Sequence, residues 1–197
     1  MPTARLILAS SSPRRRQLLT EAGYEFEIVA PHESAECGVC SRETPPELVA
    51  RLARQKAADV AVRVERGTVI GCDTVAECRG QILGKPQNRE HARQMLDLLR
   101  GREHHVYSGL CVWRRPGDER RVEVNVTRLV MDAISDDELD AYLATGAWEG
   151  KAGAFGYQDG LDWVHVVEGS ESNVVGLPME LLASMLCETG GSPAPLL

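Results

Sequence analysis

The chain has no apolar run approaching the roughly 18 residues that a membrane-spanning helix needs, so it reads as a protein without a membrane. It lacks the Walker A loop, the GxGxxG turn, the HExxH helix and the GxSxG elbow. The most familiar phosphate-binding, zinc-protease and serine-hydrolase machines are thereby excluded. It has no internal repeat. It also lacks an excess of positive charge. A net charge of −7 argues against broad nucleic-acid binding, which uses a basic field, so an anionic ligand needs a local positive site. Cys37 and Cys40 form the one Cys-x-x-Cys pair, and no second pair completes a zinc site. That pair lies in a polar loop, not at a helix start after a strand, which argues against a thioredoxin-like role. With Cys72, Cys78, Cys111 and Cys187 it reads as free thiol in a reducing compartment. The opening MPTARLILASSSPRRR places its charges after a short apolar part, unlike a signal peptide, and a cytoplasmic enzyme is the expectation.

What is present is ordinary globular sequence. The 197 residues suit one domain, read as 1–190 with a loose tail at 191–197. Apolar Arg5–Ser10 reads as a buried strand, Pro13–Ala22 as a helix capped by Ser12 and Gly23, and YEFEIVA as a second strand. Thr44 and Glu47 make a capping box for a helix running to about Arg63. TVIGCDTVAEC and QIL read as a strand and its return. Asn88 caps a helix that ends before Gly101. HVYSGLCVWRR and RVEVNVTRLVMDA are strands joined by the PGD turn, and Ser135 and Glu138 open another capped helix. After the Gly-rich residues 150–160 come the strand LDWVHVVEG and a last helix over Pro178–Cys187. Helices alternate with strands but hairpins intervene, which predicts an α/β fold with a mixed central sheet and flanking helices.

Three arginines, Arg14, Arg15 and Arg16, follow the N-cap Ser12. Cations at the positive end of a helix dipole are of the wrong sign, so the segment asks for an anion. Backbone N–H groups, Ser10 and guanidinium forks together would make a phosphate cradle. Asp73 stands inside the apolar VIGCDTV, where a carboxylate needs a partner or a metal. With Glu33 it could hold a divalent cation. An ion pair of purely structural value is the competing reading. Lys56 on the long helix and Lys85 in LGKP add cations, and the five histidines show no ligand spacing. Cations for a polyphosphate, carboxylates for a metal and a base for water make the charge pattern of a nucleotide hydrolase.

LILASSSPRRRQLL, RLARQKA, IGCDTV, LGKP, KAGAFGYQ and NVVGLP, in this order, resemble the signatures of the Maf (septum formation inhibitor) family of nucleoside triphosphate pyrophosphatases. The resemblance implies a fold related to the inosine-triphosphate pyrophosphatases, with two lobes around a cleft. It implies hydrolysis of a nucleoside triphosphate to the monophosphate and pyrophosphate with Mg²⁺ or Mn²⁺, by a homodimer. By position, Asp73 is the proton acceptor, Ser10, Arg15, Lys56 and Lys85 meet the phosphates, and Glu33 and Asp73 lie near the metal. Arg14, Thr74 and Gln158 match the branch acting on dTTP and UTP, with modified pyrimidine nucleotides as further candidate substrates. An amide such as Gln158 can both give and accept hydrogen bonds at the N3–H and carbonyls of a pyrimidine. The family name keeps a second reading open, a non-catalytic nucleotide-binding regulator of division. Ala76 departs from the family pattern, which has a larger aliphatic residue there.

Overall fold

A computed structural model describes residues 5–36 and 43–188. The Cys37–Cys40 pair and the tail at 191–197 lie outside them. The strands are β1 (Leu6–Ala9), β2 (Phe26–Ile28), β3 (Gly67–Cys78), β4 (Gln81–Leu83), β5 (Arg102–Arg115), β6 (Arg120–Met131) and β7 (Val164–Glu168). The helices are α1 (Pro13–Glu21), α2 (Pro45–Ala61), α3 (Arg89–Leu99), α4 (Asp136–Ala144), α5 (Glu171–Val175) and α6 (Met179–Glu188). Short 3-10 turns occupy Glu33–Glu36, Ala152–Ala154 and Tyr157–Asp159.

The sheet is mixed, as expected. Its order is β2-β1-β3-β5-β6-β7, with β4 on β3. β1 runs parallel to both β2 and β3, with Leu8 opposite Ile28 and Ile70. β4 is antiparallel to β3, and β7 to β6. Two spans are shorter than the sequence predicts. β2 starts at Phe26 because Tyr24 N–H is still closing α1, bonded to the Leu19 carbonyl at 3.0 Å. β7 starts at Val164, after a turn in which the Trp163 carbonyl accepts from Asp132 N–H.

Two compact units divide the chain. The first comprises the residues up to Asp73, Ser108–Asn125 and the residues from Gly176. Its strands alternate strictly, so each face has its own core. Leu6, Leu8 and Ile70 pack with Leu19 of α1 and Leu182, Met185 and Leu186 of α6. Ile7, Ala9 and Val69 pack with Ala53, Ala57 and Val60 of α2 on the other face.

Helix α2 lies unusually close to the sheet. A Cβ on Gly71 would collide with the Ala53 carbonyl oxygen and sit 2.8 Å from Ala57 N, and one on Gly109 would collide with the Val49 backbone. Val49, Ala53 and Ala57 recur every fourth residue, one stripe of the helix. The glycines in VIGCD and SGLC are therefore the signature of a helix resting on bare strand backbone.

The second unit comprises Thr74–Tyr107 and Val126–Val175. Its core joins Met95, Leu96 and Leu99 of α3 to Leu139, Tyr142 and Leu143 of α4, over Leu129 and Met131. Ala76 is fully buried here, and a Cβ on Gly153 would stand 3.0 Å from the Ala76 Cβ. The small residue at 76 leaves room for the Gly-rich segment to pack down.

His104 is 1% exposed, stacks edge-on against Phe155, and its Nε2 has no hydrogen-bond partner among the described residues. Burial pushes its pKa down to about 4. The folded value lies below the ordinary 6.5, so the unfolded chain binds the extra proton first as pH falls. Stability is complete above about pH 6.5 and drains away between there and pH 4, by on the order of 3 kcal/mol from this one group. Thermal unfolding of His104→Gln, followed from pH 7 to 4, should fall less steeply than that of the parent. Equal slopes would rule His104 out as the acid-sensitive group.

Candidate active site

The site is best built from α2 and the ends of β1 and β3. Gly71 and Asp73 share one face of β3, because residues two apart in a strand do, and that face meets α2. Lys56, 6% exposed, reaches from α2 to Asp73, with Nζ donating to Oδ1 at 2.6 Å. The side chains retain 7% and 13% of their exposure. Asp73 thus has the partner that the ion-pair reading asks for, and its side chain keeps a small opening to solvent. Lys56, expected to meet the phosphates, has this carboxylate among its partners.

At the end of β1, Ser12 caps α1 and Pro13 takes the first helical position, as expected. Arg15 is not a surface cation. It is 9% exposed, its Nε donates to the Gly176 carbonyl at 2.7 Å, and its NH1 donates to Ser10 Oγ at 3.2 Å. The Arg15 guanidinium thus has a carbonyl and a hydroxyl among its partners inside the fold. The Gly176 carbonyl also accepts from the Cys72 thiol at 3.3 Å. Ser10 Oγ accepts from Ser12 N–H too, at 3.2 Å, so both lone pairs are used and its O–H is left to give. Arg14 is half-buried and Arg16 exposed.

Glu33 is exposed and opens the 3-10 turn Glu33–Glu36. Sequence reasoning missed what fixes this turn. On α2, Asp59 accepts from His32 N–H at 3.0 Å and meets His32 Nδ1 at 2.8 Å. Arg63 bonds both Asp59, at 2.6 Å, and the Ala30 carbonyl, at 2.8 Å. Burial works against the Asp59 anion, but the His32 and Arg63 bonds overcome it and hold the carboxyl below its ordinary range. One helix thus carries both Lys56 and the anchor of the Glu33 turn.

The second unit holds Thr74, Lys85 and Gln158. Thr74 is half-buried, one residue beyond Asp73 on β3, while Lys85 and Gln158 are exposed. Of the expected residues, the structure bonds Ser10 to Arg15 and Lys56 to Asp73.

The model of the Maf-like protein family matches residues 5–189. The chain belongs to that family. A dTTP/UTP pyrophosphatase of Rhodopirellula baltica is 59% identical over 182 residues, 92% of this chain and 80% of that one. Another, of Geotalea uraniireducens, is 45% identical over 175 residues, 88% of this chain and 89% of that one. Among solved structures, a HAM1 protein from Coxiella burnetii superposes with a TM-score of 0.53 at 14% identity, covering 94% of this chain and 100% of that one, a likeness of fold.

The Maf-like site offers hard oxygen donors, but few. Asp73 gives one partly open carboxylate and Glu33 an exposed one. Among the described residues no three His, Cys, Asp or Glu side chains converge. That set does not make a cage. It suits a small divalent ion that arrives with a polyphosphate and fills its shell with water and phosphate oxygens.

Proposed function

We propose that this Maf-like chain hydrolyses dTTP and UTP to the nucleoside monophosphate and pyrophosphate, with Mg²⁺ or Mn²⁺ as its cofactor. The names of the relatives from Rhodopirellula baltica and Geotalea uraniireducens support the substrate class. The observation that carries the chemistry is Asp73, a carboxylate in an apolar strand locked at 2.6 Å onto a buried ammonium. Such a pair is costly to desolvate, and a protein that only bound nucleotide would gain nothing from it.

The amides at the start of α1, the Ser10 O–H, Arg14 and Lys85 take the phosphate oxygens. Arg15 acts from beneath, holding Ser10 in place. Asp73 accepts the proton of a water whose oxygen bonds to the α-phosphorus, while the bond from that phosphorus to the pyrophosphate oxygen breaks. Lys56 keeps the carboxylate aimed. Glu33 and Asp73 would hold the divalent ion, which supplies charge neutralisation and a more acidic water. Most of the rate comes from positioning and preorganised charge.

Gln158 reads the pyrimidine edge, with Arg14 and Thr74 as the other positions that set base preference. Modified pyrimidines that keep the N3–H between two carbonyls fall within the same reading. The expected setting is the cytoplasm, as a homodimer. The test is a panel of nucleoside triphosphates with Mg²⁺, assayed for both pyrophosphate and orthophosphate. Pyrophosphate from dTTP and UTP is expected. Orthophosphate alone, or no turnover, would contradict the proposal. Gln158→Glu should lower kcat/KM for dTTP and UTP by at least tenfold, since a carboxylate cannot donate to a carbonyl. An unchanged preference would remove Gln158 from this role.

A further inference from the structure

Gln158 is exposed, but both of its neighbours are tied down. Asp159 is ion-paired with Lys151, whose side chain is only 12% exposed. The Tyr157 hydroxyl donates to Glu171 Oε1 of α5 at 2.8 Å. The three residues form a single 3-10 turn, closed by Gly160 in the left-handed region at φ 72°. A side chain that must be presented alone, between two held ones, is what a recognition turn requires.

Gly156 gives the reason to regard the Lys151–Asp159 pair as built. Its backbone, at φ −121° and ψ 105°, is open to any residue, so conformation does not call for glycine. A Cβ there would meet the Lys151 ammonium and the Asp159 carboxylate, the ends of two flexible side chains that would have to shift to admit it. The ion pair passes directly over the bare backbone of Gly156 and closes the segment on itself. A pair that solvent still reaches, with 27% of the Asp159 side chain exposed, adds little to stability. Its value lies in limiting the conformations of the turn.

We infer that the Lys151–Asp159 clamp over Gly156, with the Tyr157–Glu171 bond, pre-organises Gln158 for reading the base, so that Lys151 and Asp159 are positioning residues for substrate selectivity. This rests on the base-reading role proposed for Gln158. If loss of the clamp leaves the turn competent a tenth of the time, apparent affinity falls about tenfold while chemistry on bound substrate is unchanged.

The experiment compares the parent with Asp159→Asn, Lys151→Met and Gly156→Ala, the last of which displaces the two clamp ends without touching a charge. Steady-state kinetics with dTTP and dGTP are paired with hydrogen exchange of residues 156–160. Each variant should raise KM for dTTP about tenfold with kcat within about twofold, and lower the dTTP/dGTP ratio of kcat/KM by the same factor. Each should also lose amide protection in the turn. Lys151→Arg, which keeps the charge, should restore both readouts. Unchanged KM, selectivity or protection in the three variants would overturn the inference. So would a fall in kcat for Lys151→Met that Asp159→Asn does not share, because that is the mark of direct contact with substrate. A parent protein that releases no pyrophosphate would instead sink the functional reading, and the exchange data would still decide the clamp.

Discussion

Asp73→Asn should lower kcat for pyrophosphate release from dTTP by about 10³-fold, within the range expected for loss of a general base. It should also destabilise the fold, because the Lys56 ammonium, 7% exposed, is left without its carboxylate. Removing one member of a buried pair costs roughly 3 kcal/mol. The two effects are separable. Lys56→Met combined with Asp73→Asn removes both charges and should recover much of the stability, yet none of the activity. Pyrophosphate assays and thermal melts on the parent, the single and the double variants give both quantities. A single variant retaining more than a tenth of the parental kcat would place the base elsewhere.

Gly109→Ala should be the most damaging small change to the fold. The new methyl group meets the carbonyl and neighbouring backbone of Val49 on α2, and backbone cannot rotate away as a flexible side chain can. Overpacking of this kind costs about 3 kcal/mol or more, a large share of the stability of a domain this size. Because α2 carries Lys56, any relaxation that moves the helix outward also pulls the ammonium from Asp73. Loss of activity should therefore accompany the fall in melting temperature. Gly84→Ala is the stability control, since a Cβ there meets nothing within 4 Å among the described residues. Equal melting temperatures for the two variants would mean that α2 does not rest on β5 as described.

The parts of the fold legible in the sequence are those fixed locally. The capping boxes of α2 and α4 form as the sequence predicts, with Thr44 N–H donating to Glu47 at 2.9 Å and Ser135 N–H to Glu138 at 2.8 Å. Helix α5 was not legible. Its five residues carry no helical periodicity and are held by Asn173, which donates to the Val106 carbonyl and to Thr127 Oγ1, both at 3.0 Å. The Glu33 turn is likewise held from outside, by Asp59 and Arg63.

The site divides along the same line. The residue types at Ser10, Asp73, Lys85 and Gln158 stand out through their motifs, but their partners do not. Arg15 stands out as one of three cations at a helix start, but its bond to the Gly176 carbonyl, 161 residues later in the chain, leaves no local trace. Lys56 stands out through its motif, but its bond to Asp73 shows only once α2 is laid on Gly71. The Lys151–Asp159 pair had one trace in the sequence, a glycine at 156 that no turn demands.

The central claim is that water attacks the α-phosphorus of a nucleoside triphosphate at Asp73. Hydrolysis of dTTP in heavy-oxygen water, followed by phosphorus NMR and mass spectrometry of the products, tests it most directly. The account predicts the heavy oxygen on the phosphate of dTMP and none in pyrophosphate. Label in pyrophosphate, or in released orthophosphate, would contradict it.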